Sequence, residues 1–428
     1  MAMESPSPYR GYVEHDGVLH CEGVPLPAIA EAVGTPVYVY SAAMLRAAAR
    51  RMKAALDGLD DPLIAYAVKA NPNPAVLHVL AQEGLGADIV SIGEYAHAVD
   101  AGMAKDHILF SGVGKTREEM EKALTGGLLQ FNIESIEEAH DLSAVATAMG
   151  KTAPVGLRIN PDVVAGTHEK ISTGQADTKF GIPGEQAMEA FRTARALPGL
   201  DVTGVTIHIG SQLTSLDPLE TAFTRLGEVI RALRHDGCDL SLADLGGGLG
   251  VDYGPDQPDP PSVEAYAAMV KRVTRDWDIR LAFEPGRSIS GEAGVLLARV
   301  IRIKPGAKAP WLIVDAAMND LMRPALYDAY HHIVPVEPRG EPASYNVVGP
   351  VCETGDTFAR RRIMQRVEPG DLVAFRTVGA YGAAMSNGYN SRPLAPEVLV
   401  DGDRWAQVRQ RVDLAEKSAM PLPDWLEN

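Results

Sequence analysis

Lys69 lies at the end of an apolar run, in the string Tyr66-Ala-Val-Lys69-Ala-Asn71. A lysine that is poorly solvated at the mouth of an apolar strand favours its neutral amine, which is the nucleophile that forms a Schiff base with a carbonyl group. The same pattern fits a lysine that extends its amine to solvent from a strand end. Lys69 is therefore a candidate covalent anchor whose role depends on residues elsewhere in the chain.

A glycine-rich segment, Gly-Gly-Gly-Leu-Gly, runs from Gly246 to Gly250. Without side chains at Gly246, Gly247 and Gly248, backbone N–H groups can approach a phosphate and form an anion-binding nest. The segment is not a P-loop, because no Gly-Lys-Ser/Thr follows it. A flexible turn has the same composition, so its position in the fold must decide between the two interpretations.

A second turn motif reads Glu284-Pro-Gly-Arg287. The carboxylate of Glu284 could pair with the protonated ring nitrogen of an aromatic cofactor. Gly286 could extend the phosphate nest, and Arg287 could bind a carboxylate through two parallel hydrogen bonds. A structural Glu–Arg pair in a turn explains the motif equally well.

Two further segments carry candidate chemistry. In His208-Ile-Gly-Ser211 the imidazole could stack on a cofactor ring and the serine could bond its phosphate, although a lone histidine is more often a core residue. The thiol of Cys352, next to Glu353, could donate a proton if its surroundings tune it. A small buried cysteine is the alternative interpretation.

Arg323 and Tyr327 are four residues apart, so on a helix they would share one face. Both side chains suit a carboxylate ligand. Tyr381 lies in Gly-Ala-Tyr-Gly, where neighbouring glycines would let it reach a cofactor or a substrate.

The elements that must position these residues alternate between about Pro36 and Ser290. Short apolar runs precede longer Ala-, Leu- and Glu-rich stretches with helical spacing, and eight such units predict a TIM (β/α)8 barrel. The predicted strands are Leu63–Val68, Ala87–Val90, His107–Phe110, Leu128–Asn132, Val155–Ile159, Val202–His208, Leu240–Leu245 and Leu281–Glu284. The predicted helices are Ser41–Leu56, Ile92–Ala101, Arg117–Thr125, Ile136–Met149, Gly184–Ala196, Pro218–His235 and Val263–Trp277.

Functional residues of such barrels lie just after the strands, and the phosphate site commonly follows strands seven and eight. Lys69 follows the first predicted strand and Asp88 lies in the second. The glycine segment follows the seventh and Glu284 ends the eighth. For the glycine segment, this placement favours a phosphate site over a flexible turn.

Beyond about Gly291 the helices stop, and strand patterns predict a second, mainly antiparallel β domain. Its predicted strands are Gly294–Lys304, Trp311–Asp315, Tyr345–Val348, Asp371–Arg376 and Glu397–Val400. The extended segment Val13–Ile29 could join it. We expect the barrel domain to span residues 34–290 and the β domain to span 10–33 and 291–428.

Composition excludes several classes of protein. The 428 residues carry 56 acidic and 40 basic side chains, a net charge of −16, which disfavours nucleic acid and anionic membranes as partners. Three cysteines without a CxxC pair indicate neither a disulfide framework nor a metal site. Without an apolar span or a recognisable signal peptide, we expect a cytoplasmic setting.

Taken in order, the motifs resemble the diaminopimelate decarboxylase family over roughly residues 10 to 415. The similar strings are YAVKAN, FSGVGKT, STGQADTKFGI, HIGSQ, GGGLG, EPGRS, AMNDLMRPALYDAYH, GPVCETGD, GAYG and YNSRPLAPEVLV. The resemblance implies an alanine-racemase-like barrel with a β domain, and pyridoxal 5'-phosphate as cofactor. It also implies a head-to-tail homodimer with shared active sites.

By this resemblance, Lys69 binds the cofactor as a Schiff base, His208 stacks on its ring and Glu284 contacts the ring nitrogen. The implied phosphate ligands are Ser211, Gly246, Gly247, Gly248 and Gly286. Further cofactor contacts are Asp88, Arg287 and Tyr381. The implied substrate ligands are Arg287, Arg323, Tyr327, Glu353 and Tyr381. Cys352 would donate a proton from the neighbouring subunit.

The implied reaction is decarboxylation of meso-2,6-diaminopimelate to L-lysine and CO2, the last step of lysine biosynthesis. Decarboxylases of ornithine, arginine or carboxynorspermidine share several of the motifs and stay as alternatives. A non-catalytic regulator on the same scaffold is a further alternative. A racemase fits less well, because it needs a second acid/base, usually tyrosine, on the opposite ring face, whereas this chain offers the Cys352-Glu353 segment. A metal-dependent barrel enzyme also fits less well, because the strand ends show no His and carboxylate cluster at ligand spacing.

Overall fold

The computed structural model describes residues 11–164, 173–174, 178–414 and 425. The motif STGQADTKFGI therefore lies partly outside the described residues. The described strands are β1 (Tyr12–His15), β2 (Val18–Cys21), β3 (Val24–Pro25), β4 (Val37–Ser41), β5 (Leu63–Ala67), β6 (Gly86–Ile89), β7 (Ile108–Phe110), β8 (Gln130–Ile133), β9 (Ala153–Asn160), β10 (Ile182–Pro183), β11 (Leu200–Thr206), β12 (Leu242–Asp244), β13 (Arg280–Phe283), β14 (Gly294–Lys304), β15 (Trp311–Val314), β16 (Ile333–Pro335), β17 (Arg339–Val348), β18 (Thr357–Arg366), β19 (Leu372–Phe375), β20 (Glu397–Asp401) and β21 (Arg404–Arg409).

The α-helices of the same residues follow the strands of the first half of the chain and become sparse in the second. They are α1 (Leu26–Val33), α2 (Ala42–Leu56), α3 (Pro74–Gln82), α4 (Ile92–Asp100), α5 (Arg117–Gly126), α6 (Ile136–Ala148), α7 (Ala187–Ala196), α8 (Asp217–His235), α9 (Val263–Val273), α10 (Arg287–Ser290) and α11 (Arg323–Tyr327). In the part of the chain that the structure describes, no helix is both long and apolar enough to cross a lipid bilayer.

Eight parallel strands close into a barrel, and this confirms the predicted fold. The order is β9-β11-β12-β13-β5-β6-β7-β8, and β8 pairs with β9 to close the ring. Every predicted strand lies on one of these, with ends that differ by a few residues. Apolar side chains such as Leu63, Ala65, Leu109 and Leu242 pack together in a buried cluster.

The predicted barrel helices are present, with α3 in addition. Several begin at a side-chain cap: Thr116 and Glu119 form a reciprocal capping box at α5, and Ser135 caps α6. The sequence pattern missed α3, which begins with Pro74 after the cap residue Asn73. A proline is tolerated in a first turn because the N–H that it lacks would have no helical partner there.

The second half of the chain forms a mixed sheet whose pairings are antiparallel except for β15–β17 and β4–β20. The order is β18-β17-β15-β14-β4-β20-β21, and β16 and β19 pair alongside β14. The predicted strands from Gly294 to Val400 are all present. The strand β4, which precedes the barrel in sequence, lies in this sheet between β14 and β20.

The segment predicted as extended, Val13–Ile29, is extended only in its first part. The strands β1, β2 and β3 form a small antiparallel sheet, but α1 begins at Leu26 and buries Leu26, Ile29 and Ala30. The prediction for the last four residues was therefore wrong. Prolines at 25 and 27 suggested an extended chain, yet they lie at the cap and in the first turn, where a helix accepts proline.

The chain divides into two compact units. One contains the described parts of Met1–Met44, Tyr253–Pro255 and Glu292–Asn428. The other contains the described parts of Leu45–Asp252 and Asp256–Gly291, and it holds the barrel strands. The domain limits drawn from the sequence stay a prediction.

Candidate functional site

The amine of Lys69 forms an ion pair at the carboxyl end of the barrel. Lys69 lies in a short 3-10 turn directly after β5, and its Nζ is 2.7 Å from Oδ2 of Asp88 on β6. The parallel pairing of β5 and β6 sets Ala67 beside Asp88, which brings the next turn over this carboxylate. Asp88 is fully buried, and its Oδ1 has no hydrogen-bond partner among the described residues.

Asp88 belongs to a cluster of three buried carboxyl groups with Asp244 and Glu284. Asn132 Nδ2 donates to Asp244 Oδ2 at 2.8 Å, and the Gly246 N–H donates to its Oδ1 at 2.9 Å. A hydrogen bond also joins the side chains of Asp244 and Glu284. Glu284 lies at the barrel end, as predicted. Its partner, Asp244, was not among the residues that the sequence singled out.

Burial and the carboxylates of Asp244 and Asp88 raise the pKa of Glu284 well above its usual range. The amine of Lys69 lowers this pKa, but by less. Asp244 already accepts two N–H groups, which favours its charged form. We therefore assign the proton that the pair shares to Glu284. A buried, protonated acid that lies beside a carboxylate is suited to bind a basic or cationic group.

His208 follows β11 and is held as a neutral ring. The Gly247 N–H donates to its Nδ1 at 3.2 Å. Burial, the guanidinium of Arg158 and the amine of Lys69 lower the pKa of His208 well below its usual value. A neutral, partly buried imidazole can lie against an aromatic ring without bringing a charge to it.

The glycine segment after β12 approaches other backbone so closely that no side chain would fit. A Cβ added at Gly247 would lie 2.2 Å from the carbonyl oxygen of Glu284, and one at Gly246 would lie 2.5 Å from that of Ile207. Gly246 and Gly248 also have positive φ angles of 66° and 111°. The end of β12 therefore requires glycine at these positions.

The serine of the HIGSQ motif and the arginine of the EPGR motif meet. Arg287 Nη2 donates to Ser211 Oγ at 3.0 Å, and Arg287 is buried at the start of α10. Gly286 precedes this helix and accepts from the N–H of Ile289. The structure thus brings together the residues that the sequence assigned to the phosphate and to a carboxylate.

Glu94 is a titratable residue of this region that sequence reasoning missed. Burial and the charge of Asp88 raise the pKa of Glu94 to about 7, although the Val90 N–H bonds to it and Lys69 lowers it. The pattern Ser91-x-x-Glu94 at the start of α4 is a helix-start signal that could have located it. The position of Glu94 suggests a helix cap, but its side chain accepts the N–H of Val90 instead.

In the other unit, α11 carries both Arg323 and Tyr327, as predicted from their spacing. Arg323 is buried, and its Nη1 is 2.9 Å from Nε2 of His331. Its guanidinium also lies over the ring of Tyr253, with Cζ 4.8 Å from the ring centre. Tyr327 is partly buried one turn along the helix.

Cys352 and Glu353 lie in a tight turn that a buried aspartate holds. Asp356 accepts the Val351 N–H at 2.7 Å through one oxygen and the Met318 N–H at 2.7 Å through the other. The thiol of Cys352 is exposed, so the alternative of a buried core cysteine is wrong. Glu353 accepts a hydrogen bond of 2.9 Å from the hydroxyl of Tyr389.

Tyr381 has a φ angle of 57°, a left-handed conformation that non-glycine residues seldom adopt. Such positions cluster at functional sites, where the surrounding structure stabilises them. The neighbouring Gly382 permits the turn, since a Cβ there would lie 2.5 Å from the carbonyl oxygen of Val378. This geometry supports a functional interpretation of Tyr381.

The residues at the barrel end fit pyridoxal phosphate. The amine of Lys69 is suited to bind its aldehyde, and the buried carboxyl cluster with the unpartnered Asp88 Oδ1 suits a ring nitrogen that carries a proton. The glycines after β12 stand where no Cβ would fit, as an anion-binding backbone segment requires. Among the described residues, no group of three or more His, Cys, Asp or Glu side chains is arranged to hold a metal ion.

Comparisons with known proteins agree with this geometry. Residues 43–291 match the family model described as "Pyridoxal-dependent decarboxylase, pyridoxal binding domain". The chain is 55% identical to the diaminopimelate decarboxylase of Zymomonas mobilis, over 92% of this chain and 94% of that protein. It superposes with a TM-score of 0.92 on the diaminopimelate decarboxylase of M. jannaschii in complex with L-lysine, with 35% identity and coverage of 97% and 98%.

A more distant structure shares the fold alone. The lysine/ornithine decarboxylase of Vibrio vulnificus in complex with putrescine superposes with a TM-score of 0.77 at 23% identity, and the alignment covers 88% of this chain and 96% of that one. The identity to the diaminopimelate decarboxylases, over nearly the whole length of both chains, is higher than the identity to this decarboxylase. The chain belongs to the diaminopimelate decarboxylase family of pyridoxal-dependent decarboxylases.

Proposed function

We propose that the protein decarboxylates meso-2,6-diaminopimelate to L-lysine and CO2 with pyridoxal 5'-phosphate as cofactor. The observation that supports this most strongly is the buried cluster of Asp88, Asp244 and Glu284 beside the amine of Lys69. A scaffold without chemistry has no need of three buried carboxyl groups and a reactive amine, because unpaired buried charge destabilises a fold. A non-catalytic regulator therefore fits the site poorly.

The barrel residues have separable tasks in this reaction. When bound, pyridoxal phosphate supplies an electron-withdrawing ring that stabilises the electron pair left by CO2. Lys69 would hold the cofactor through its amine. Glu284 holds the proton that the ring nitrogen needs, and neutral His208 covers the ring. Ser211, Gly286 and the Gly246–Gly248 segment hold the phosphate.

Selectivity would come from the distal end of the substrate. We assign its carboxylate to Arg287, Arg323 and Tyr327 and its amino group to Glu353. L-Lysine or L-ornithine, with its α-amino group at the cofactor, would present no distal carboxylate to these arginines. A site built to bond a charged group rejects an analogue that lacks it, because its own buried polar groups lose their partner.

The protonation step and the assembly are part of the same proposal. Cys352 would protonate the carbon that loses CO2, and it would act in the site of the neighbouring subunit of a homodimer. Its exposed thiol and the exposed Tyr389 beside Glu353 are consistent with a surface that a second copy covers. Tyr381 would contact both cofactor and substrate. We place the protein in the cytoplasm, where diaminopimelate would be available.

Product analysis tests this proposal. Purified protein with pyridoxal phosphate is incubated with meso-diaminopimelate, and CO2 and L-lysine are quantified. We expect equal amounts of both, and none from protein stripped of cofactor. Racemised diaminopimelate without CO2 would instead indicate a racemase. Loss of CO2 only from ornithine or arginine would overturn the assignment of the arginines but keep that of Lys69.

A further inference from the structure

Two side chains of one unit, His331 and Tyr253, form a compact cluster with Arg323. Its guanidinium bonds to His331 through Nη1, and the ring of Tyr253 lies against it. Tyr253 and His331 also contact each other edge to face, with ring centres 5.2 Å apart. Arg323 is therefore held on two sides by residues that carry no charge in this arrangement.

The partners of His331 determine which of its nitrogens carries the proton. Its Nδ1 is 3.0 Å from the carbonyl oxygen of Arg376, which can only accept a hydrogen bond. Its Nε2 is 2.9 Å from a guanidinium nitrogen, which can only donate. The ring must therefore be neutral, with the proton on Nδ1 and a lone pair directed at Arg323.

The backbone around the cluster maintains this arrangement. Arg362 Nη1 donates to the carbonyl oxygen of His331 at 2.8 Å. A Cβ at Gly254 would lie 3.0 Å from Cβ of His332, and its φ of 131° is accessible mainly to glycine. Because Gly254 follows Tyr253, the segment that carries Tyr253 can approach His331 and His332 closely.

We propose that His331 and Tyr253 are positioning residues that fix the guanidinium of Arg323 for the distal carboxylate of the substrate. The proposal rests on the proposed function, since that function assigns the carboxylate to Arg323. A guanidinium has five N–H donors, so a bond from Nη1 to His331 is compatible with a carboxylate ligand. A freely rotating arginine would lose conformational entropy on binding, whereas one already held in place loses less.

Two ligands isolate this effect. L-Lysine retains the distal carboxylate when its ε-amino group is at the cofactor, whereas cadaverine has both amino groups and no carboxylate. Dissociation constants of both are measured from the change in visible absorbance of the cofactor-loaded protein, which does not require turnover. Wild-type turnover of meso-diaminopimelate is measured separately, so that failure of the proposed function is distinguished from failure of this inference.

Two substitutions of His331 separate its two hydrogen bonds. In His331→Asn, the amide nitrogen lies as many bonds from Cβ as Nδ1 and can still bond to Arg376, but nothing reaches Arg323. In His331→Gln, the amide oxygen lies as many bonds from Cβ as Nε2 and can accept from Arg323. We expect His331→Asn to weaken L-lysine binding about tenfold, the size of one hydrogen bond to a charged group, and to leave cadaverine binding unchanged.

The conservative variant completes the test. We expect His331→Gln to restore most of the affinity for L-lysine. Equal weakening of both ligands, unchanged binding of both, or failure of His331→Gln to restore binding would each overturn the inference. Tyr253→Leu, which leaves His331 in place, should produce the same selective loss of L-lysine binding and provides the test if the histidine variants do not fold.

Discussion

At the scale of single residues, the site depends on an excess of buried acid. Three carboxyl groups face one lysine amine, and one oxygen of Asp88 has no hydrogen-bond partner among the described residues. Without a further cation, the cluster retains a proton, which we place on Glu284. A cofactor whose ring nitrogen becomes protonated would supply the missing positive charge, so the site is complementary to the group that it binds.

Replacing Lys69 with alanine removes the amine to which we assign the cofactor. We expect the visible absorbance band of the lysine-bound cofactor to disappear and kcat to fall roughly 10³-fold or more. Lys122→Ala is a matched control, because that amine is exposed on α5 and pairs only with Glu118 in the same helix. Persistence of the band in Lys69→Ala would show that another residue is the anchor.

Glu94 should make stability depend on pH. Its folded pKa of about 7 lies above the ordinary value of 4.5, so the folded state binds the proton more tightly than the unfolded state. The stabilisation is complete below about pH 4.5 and is lost as pH rises through 7. We expect the wild-type protein to lose on the order of 1–3 kcal/mol relative to Glu94→Gln between pH 5 and pH 8.

Urea unfolding of the two proteins without cofactor, at several pH values, measures this difference. Glutamine can still accept the Val90 N–H, so the comparison isolates the charge. A constant difference across this range would show that Glu94 titrates normally.

At the scale of elements, the barrel strands were predictable because each is a short apolar run that ends in a polar or glycine residue. Asp244 was not predictable, since an aspartate within the run Leu242-Ala-Asp-Leu245 looks like the end of a strand rather than the member of a cluster. Its partner Glu284 is distant in sequence and meets it only because β12 and β13 pair. Local patterns carry no information about such pairs.

The second sheet was less predictable for the same reason. The strand β4 pairs with β14 and β20, whose residues lie more than 250 positions away in the chain. The strand β18 was not predicted, because the consecutive residues Arg360, Arg361 and Arg362 lack the alternation of a half-buried strand. Charged side chains of this kind are common on an edge strand, where they hinder pairing with other molecules.

The glycine segment after β12 gives a test at this scale. In Gly247→Ala, the added methyl group would meet the carbonyl oxygen of Glu284, so the strand ends must separate. We expect affinity for pyridoxal phosphate to fall tenfold or more, because overpacking of this kind costs about 1–3 kcal/mol. Gly93→Ala is the control: its Cβ would make only an ordinary contact of 3.7 Å with Ser91. Unchanged cofactor affinity in Gly247→Ala would contradict the role of this segment.

At the scale of the whole molecule, the proposed homodimer places residues of two chains in one site. Lys69→Ala and Cys352→Ala chains would each be defective alone. If sites are shared, a mixed dimer contains one site with both substitutions and one intact site. After dissociation and random reassociation, we expect about a quarter of wild-type activity, because half of the dimers are mixed and half of their sites are intact.

Size measurements on the same samples provide the control, since recovery requires that mixed dimers form. Mixed dimers without recovered activity would show that Lys69 and Cys352 of one chain act in the same site. The proton donor would then belong to the chain that binds the cofactor.

The substrate preference tests the account most directly. The ratio of kcat/KM for meso-diaminopimelate to that for L-lysine, L-ornithine and L-arginine is measured by CO2 release from the cofactor-loaded protein. We expect meso-diaminopimelate to be preferred at least about 10³-fold, because only it places a carboxylate at the distal arginines while a second amino-acid centre is at the cofactor. Comparable turnover of ornithine or arginine would contradict the assignment of Arg287, Arg323 and Tyr327 and, with it, the proposed reaction.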